Sequence, residues 1–151
     1  KHAKKGKYLM GICNGFQILT EIGLLKGALI QNNKLKFLGK DCFIKKKHNN
    51  NFNQLIPTDQ VLQIPVAHNE GNFYCDEENL KYLNDHGLIA FEYCKGTYSL
   101  SDANINGSIE NIAGITNKEK NILGMMPHPE RAFQNFHKSK DGKIILESLI
   151  Q

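Results

Sequence analysis

The chain has 151 residues and 40% hydrophobic content, one domain's worth of sequence and enough to bury a core. No apolar run approaches the ~20 residues of a membrane helix and no secretory hydrophobic region is visible. The net charge of +4 comes from scattered lysines, clustered only at Lys1–Lys7 and Lys45–Lys47 without interleaved aromatics or arginines, so it reads as a solvated surface and not as a nucleic-acid site.

In chain order, Lys1–Lys5 reads as the end of a helix and Tyr8–Ile12 as a strand. A helix is expected from Gly15 to about Leu24, stopped near Gly23 and Gly27. Strand-like segments follow at Lys40–Lys47 and Val61–Val66, separated by the Asn-rich His48–Gln54, which predicts a turn or hairpin. Glu77–His86 has helical spacing at Leu80 and Leu83, acidic residues early and Gly87 behind. Leu88–Tyr93, Ile112–Thr116 and Ile122–Met126 read as strands, and Asp141–Leu149 as a terminal helix. No repeat or linker divides the chain. The alternation predicts one α/β domain over residues 1–151, with a parallel core and an added antiparallel portion.

Between the first strand and its helix stands Gly11-Ile12-Cys13-Asn14-Gly15, a small-x-nucleophile-x-small pattern typical of a nucleophile elbow. Glycines at both ends would allow a turn too tight for a Cβ, leaving the central thiol exposed above the sheet edge. The N–H groups of Asn14 and Gly15 would then open a helix, whose partial positive charge favours a thiolate and a nearby oxyanion. Cys13 alone is equally compatible with a buried cysteine in an ordinary strand-to-helix connection.

The distal run Gly124-Met125-Met126-Pro127-His128-Pro129-Glu130-Arg131 adds an imidazole and a carboxylate. The two prolines push Met126 and His128 away from helical geometry, and in an extended segment His128 and Glu130 project to one side. A carboxylate beside an imidazole sets its tautomer and stabilises the imidazolium, making it a better base for a thiol. Cys13, His128 and Glu130 therefore have the types needed for a Cys-His-acid triad built from two strand ends. A surface His-Pro-Glu turn is the alternative for the distal pair alone. Cys42, Cys75 and Cys94 are widely spaced, with no Cys-x-x-Cys pair, so metal and thioredoxin-type chemistry is unsupported. A free nucleophilic thiol fits a reducing, cytoplasmic setting.

Two more segments, Ile64–Asn72 and Asp102–Ser108, read from physics alone as polar connecting loops. Together with the elbow and the distal run, however, they carry a resemblance. Gly-Ile-Cys-Asn-Gly-Phe-Gln-Ile-Leu (Gly11–Leu19), Ile-Pro-Val-Ala-His-Asn-Glu-Gly (Ile64–Gly71), Asn-Ile-Asn-Gly-Ser (Asn104–Ser108) and Gly-Met-Met-Pro-His-Pro-Glu-Arg (Gly124–Arg131) occur in this order. The chain resembles, over nearly its whole length, the glutaminase subunits of phosphoribosylformylglycinamidine synthase, class I (triad-type) glutamine amidotransferases. Asn69 departs from the family's usual Gly in His-Gly-Glu-Gly, a mild change because Asn also tolerates positive φ.

The resemblance implies a flavodoxin-like amidotransferase domain, truncated at its N-terminus. Family members carry several tens of residues before the elbow, including the first strands and a Gly-Gly-Phe loop expected to supply an oxyanion donor; none of it stands ahead of Tyr8. It further implies hydrolysis of glutamine to glutamate and ammonia by Cys13, His128 and Glu130, with the Asn14 N–H in the oxyanion hole and Gln17 and His68 near bound glutamine. Ammonia would pass to a large synthetase subunit in de novo purine synthesis, a small third subunit completing the complex. ATP and magnesium would bind that partner, and no cofactor or metal is implied in this chain. Other readings are an amidotransferase for another synthetase, a stand-alone cysteine hydrolase and an inactive binding fragment.

Overall fold

The computed structural model describes residues 2–96 and 103–150; Lys1 and Asp102, which belong to the expected helix end and polar turn, lie outside them. Its strands are β1 (Leu9–Ile12), β2 (Ala28–Ile30), β3 (Leu38–Lys46), β4 (Leu62–His68), β5 (Asn72–Tyr74), β6 (Ile89–Tyr93), β7 (Ile112–Thr116) and β8 (Ile122–Met125). Its helices are α1 (Asn14–Glu21), α2 (Glu77–Asp85) and α3 (Gly142–Glu147), with 3-10 turns at Ala3–Lys5, Ile109–Asn111 and Pro129–Arg131.

The main sheet has six strands in the order β1-β8-β7-β6-β3-β4, and β2 pairs with β5 in a separate ribbon. The expected parallel core shrinks to one pair among the described residues. Only β1 and β8 run parallel, with Ile12 opposite Met125; β8–β7, β7–β6, β6–β3 and β3–β4 are antiparallel. Parallel neighbours need crossovers of a dozen or more residues, whereas most adjacent strands here are consecutive or joined by turns.

The sheet separates two apolar layers. One face holds Phe16 and Leu19 of α1, Leu83 of α2, and Ile89, Ile115 and Ile122 from the strands. The other holds Ile44, Leu62, Ile64, Phe91 and Leu123, covered by Ile145 of α3 and by Phe52 and Ile56. The strict alternation of β4 explains its half of that layer: Leu62, Ile64, Val66 and His68 are buried, while Gln63, Pro65 and Ala67 are half-buried. Pro65 fits because β4 is an edge strand, where a missing N–H costs no ladder bond.

The Asn-rich segment lies, as expected, in the connection of an antiparallel β3–β4 hairpin, but that connection is long. Residues 47–61 fold inward as a plug, with Phe52 and Ile56 in the core. Asn53 is fully buried and donates through Nδ2 to the carbonyls of His48 (3.0 Å) and Ala90 (3.1 Å), and its Oδ1 accepts the Asn50 N–H. Side-chain amides thus replace a strand partner for this backbone. The helix at Glu77–Asp85 starts as expected, with Asp76 capping the Asn79 N–H at 2.8 Å. Lys45 and Lys47 share Glu92 as a partner, so part of the basic cluster is neutralised across the β3–β6 pair.

Candidate active site

The sheet curls until its two edges meet, and the candidate site lies at that closure. From beyond β8, the His128 N–H donates to the Pro65 carbonyl of β4 at 2.8 Å. From the end of β1, the Cys13 thiol donates to the Ala67 carbonyl of β4 at 3.6 Å. Cys13 and the His128–Glu130 pair thus come from two strand ends, as expected, and β4 adds the backbone carbonyls that hold them.

Cys13 occupies the elbow, but the strain is distributed differently from expectation. It is Cys13 itself that takes a positive φ, at φ 52° and ψ −108°, as the residue before α1. Such a conformation is unfavourable for a residue with a side chain and is the kind of strain stored at functional positions. Gly11 is required by close packing, since a Cβ there would sit 2.5 Å from Leu19 Cδ1 and 2.6 Å from the Gly15 carbonyl oxygen. Gly15 has open space around the same position, so the fold does not demand a glycine there. Gly124 on β8 also admits α1 closely, because a Cβ would come within 2.1 Å of Phe16.

Burial raises the Cys13 thiol above the ordinary thiol range. The Asn14 backbone N–H and the Arg131 guanidinium oppose that rise, while Glu130 adds to it. The resting sulfur is thus a thiol that needs a base, in a field where a thiolate would already find an N–H donor and a cation.

His128 and Glu130 come together as the residue types suggest, though not in an extended segment. Pro129 opens a 3-10 turn, and within it the His128 Nδ1 lies 2.6 Å from Glu130 Oε1. The His128 ring is buried, and its Nε2 has no hydrogen-bond partner among the described residues. With Nδ1–H given to the carboxylate, neutral Nε2 is left as a free lone pair. Arg131 also reaches Glu130, at 3.6 Å.

The other expected residues gather on the connection after β4. Gln17, in the first turn of α1, donates from Nε2 to Glu70 Oε2 at 3.1 Å. His68 is buried, with Nδ1 3.1 Å from Asn32 Oδ1. A Cβ on Gly71 would fall 2.3 Å from the His68 ring, so glycine there leaves room for it. Asn69 keeps a negative φ, and no glycine-like conformation is asked of it. The Asn104–Ser108 turn packs against the same connection: Asn106 Nδ2 donates to the Gly71 carbonyl at 2.7 Å and Ser108 Oγ accepts the Phe73 N–H at 2.9 Å.

Asn32 carries no signal of its role in the sequence, and neither do the carbonyls of Pro65 and Ala67. Gln31-Asn32-Asn33 reads only as turn composition, and nothing local says that its amide reaches a residue 36 positions away. Cys42 is fully buried, donates to the Ile64 carbonyl at 3.1 Å and is pushed far up by burial, which leaves it inert.

A strained cysteine before a helix and a carboxylate-backed histidine, held at the closure of a mixed sheet, form the candidate site. The chain belongs to the CobB/CobQ-like glutamine amidotransferase domain family, which it matches over residues 1–145. It is 45% identical over 150 residues to phosphoribosylformylglycinamidine synthase subunit PurQ of Aquifex aeolicus (strain VF5), an alignment covering 98% of this chain and 66% of that protein. It superposes on a chain of the PurLQS structure from Thermotoga maritima with a TM-score of 0.82 at 37% identity, covering 98% of this chain and 63% of that one. A glutamine amidotransferase from Thermotoga maritima shares the fold at 18% identity, with a TM-score of 0.53 over 85% of this chain and 43% of the other. The chain spans about two thirds of the length of the PurQ relative and slightly less of the PurLQS chain.

Proposed function

We propose that this chain carries the glutaminase site of a phosphoribosylformylglycinamidine synthase. The observation that carries the proposal is that Cys13, at positive φ, and a buried His128 whose Nδ1 is engaged by Glu130 are both held against β4, through the Ala67 and Pro65 carbonyls. The reaction runs through an acyl-enzyme. His128 Nε2 takes the thiol proton as Cys13 Sγ bonds to the side-chain carboxamide carbon of glutamine. The tetrahedral oxyanion is stabilised by the Asn14 N–H, which already faces the sulfur. Collapse breaks the C–N bond, and His128 returns its proton to the departing ammonia. Water, deprotonated by the same imidazole, then cleaves the γ-glutamyl thioester to glutamate and the free thiol.

Ammonia passes to a separate synthetase subunit, which uses ATP and magnesium to convert formylglycinamide ribonucleotide to the amidine, with a small third subunit in the complex. The names of the PurQ relative and of the PurLQS structure support this assignment of partners. The setting is cytoplasmic, in keeping with a free nucleophilic thiol. No helix among the described residues is long and apolar enough to cross a membrane.

The test uses the full-length protein with its synthetase. Cys13→Ala is expected to abolish glutamine-dependent amidine synthesis and to leave ammonia-dependent synthesis intact. Glu130→Gln keeps the thiol but removes the charge behind His128, and should lower the glutamine-dependent rate by about 10²–10⁴-fold. Loss of both activities in Cys13→Ala, or full glutamine-dependent activity in Glu130→Gln, would sink the proposal.

A further inference from the structure

The connection from β2 to β3, residues 31–37, puts its two large apolar side chains into solvent: Leu35 is 74% exposed and Phe37 64%. Leu35 also takes a positive φ of 51°. A bulky residue rarely adopts that conformation, and the turn would be served better by asparagine or glycine. The fold thus gains neither burial nor a relaxed backbone from this leucine. An exposed apolar residue kept at a strained position points to a role outside the chain's own core.

The loop is nonetheless firmly built, and Asn32 builds it. The Asn32 carbonyl accepts the Leu35 N–H at 2.8 Å, and its Nδ2 donates to the Lys36 carbonyl at 2.8 Å. The same residue bonds the connection after β4 three times, through the His68 carbonyl, the Gly71 N–H and the Asn69 carbonyl, each at 3.0 Å. Glu70 of that connection touches Gln17 in the first turn of α1, just behind Cys13. The loop tip is therefore fastened to the end of the molecule that carries the candidate site.

Charge narrows the choice of partner. Residues 22–40 contain Lys26, Lys34, Lys36 and Lys40 and no aspartate or glutamate. Lys34, Lys36 and Lys40 are exposed and make no ion pair among the described residues. The next acid along the chain, Asp41, is taken by Lys138 and Gln63. Leu35 and Phe37 thus stand in a basic frame, and two copies meeting loop to loop would set like charges together. The frame matches an apolar socket rimmed by carboxylates on a different protein. Ammonia adds a constraint of its own. In water it is protonated to ammonium, which is no nucleophile, so a subunit that receives it from Cys13 has to cover this end of the chain.

We propose that the Lys34-Leu35-Lys36-Phe37 tip is a docking element for the synthetase subunit, its two apolar side chains entering a socket rimmed by acidic side chains. The identity of the partner rests on the function proposed above. The choice of surface rests on the strain, exposure and charge of the loop.

Leu35→Asn separates docking from turn-making, because asparagine accepts positive φ and lacks the apolar side chain. In the full-length protein its denaturation midpoint should match or exceed that of wild type. Glutamine-dependent amidine synthesis is then titrated with glutaminase at fixed synthetase and small subunit, with ATP and magnesium. The half-saturating glutaminase concentration should rise about tenfold with the plateau rate unchanged, as an apolar anchor is lost. The double variant Lys34→Glu, Lys36→Glu should shift it in the same direction, more at low salt than at high. An unshifted half-saturating concentration in Leu35→Asn overturns the docking role, and one in the double variant overturns the acidic rim. A lower denaturation midpoint in Leu35→Asn also overturns the docking role, since Leu35 would then be packed against the rest of its own chain. So does a wild-type dimer that Leu35→Asn dissociates in sedimentation, which would make the occupant a second copy. If wild type sediments with the synthetase but yields no glutamine-dependent product, the proposed function falls, and loss of co-sedimentation in Leu35→Asn still upholds this surface.

Discussion

At the scale of residues, the site shows how burial and charge divide the labour among a few side chains. Cys13 is raised by burial and held back by the Asn14 N–H and by Arg131, the single arginine of the chain. Removing that guanidinium takes away a positive charge that favours the thiolate, so the Cys13 thiol must rise further. Arg131→Gln is therefore expected to move the pH profile of Cys13 alkylation by iodoacetamide to the alkaline side of wild type. A profile that stays in place, or moves to lower pH, would show that Arg131 does not act on the sulfur. Much of this site is legible in the sequence itself. Cys13, His128 and Glu130 stand out as candidates because a nucleophile between small residues, and an imidazole two positions from an acid, are local patterns. Asn32 and the Pro65 and Ala67 carbonyls are not, because their roles exist only after the sheet has curled β4 against the ends of β1 and β8.

Elements follow the same division between local pattern and tertiary context. β4 and α2 are visible in the sequence because alternation, an acidic first turn and a following glycine are written within a few residues. The ribbon of β2 and β5 is not, since three-residue strands carry too little periodicity to read and gain their pairing from each other. The elbow illustrates the point most sharply, for its two glycines look alike in sequence and differ in the fold. Gly11 and Gly124 admit α1 against the parallel pair, whereas Gly15 faces open space. Gly124→Ala would drive a methyl into Phe16 and should destabilise the protein by about 1–3 kcal/mol, the usual cost of overpacking. Gly15→Ala, inside a helix and without a clash, should be neutral or stabilising by up to about 1 kcal/mol. Denaturant titration of the two variants checks the contrast, and equal losses would mean that the close approach of α1 to β8 is not what Gly124 serves.

On the scale of the whole molecule, the question is what holds the closure together, since β1 and β4 are the two edges of one sheet and meet through few bonds. The connection from His68 to Phe73 lies between the closure and a two-stranded ribbon, an arrangement that by itself has little independent stability. Buried side-chain amides supply what the ribbon lacks. Asn32 Oδ1 accepts the Gly71 N–H, Ser108 Oγ accepts the Phe73 N–H, and Asn106 donates to the Gly71 carbonyl while accepting from both the N–H and the hydroxyl of Ser108. These backbone groups are anchored in the interior, so their amides should exchange with solvent nearly as slowly as those of the central strands β6 and β7. Asn106→Ala removes the Nδ2 donor to the Gly71 carbonyl and the buried acceptor of the Ser108 N–H, leaving the Ser108 hydroxyl as the donor to that carbonyl, at a cost of about 1–3 kcal/mol. If the anchor is local, hydrogen exchange in that variant will quicken at Gly71 and Phe73 while β6 and β7 keep their protection. Uniform acceleration across every strand would instead show that the Asn106 turn stabilises the fold as a whole, and that the loop bearing His68 and Glu70 is no separate unit.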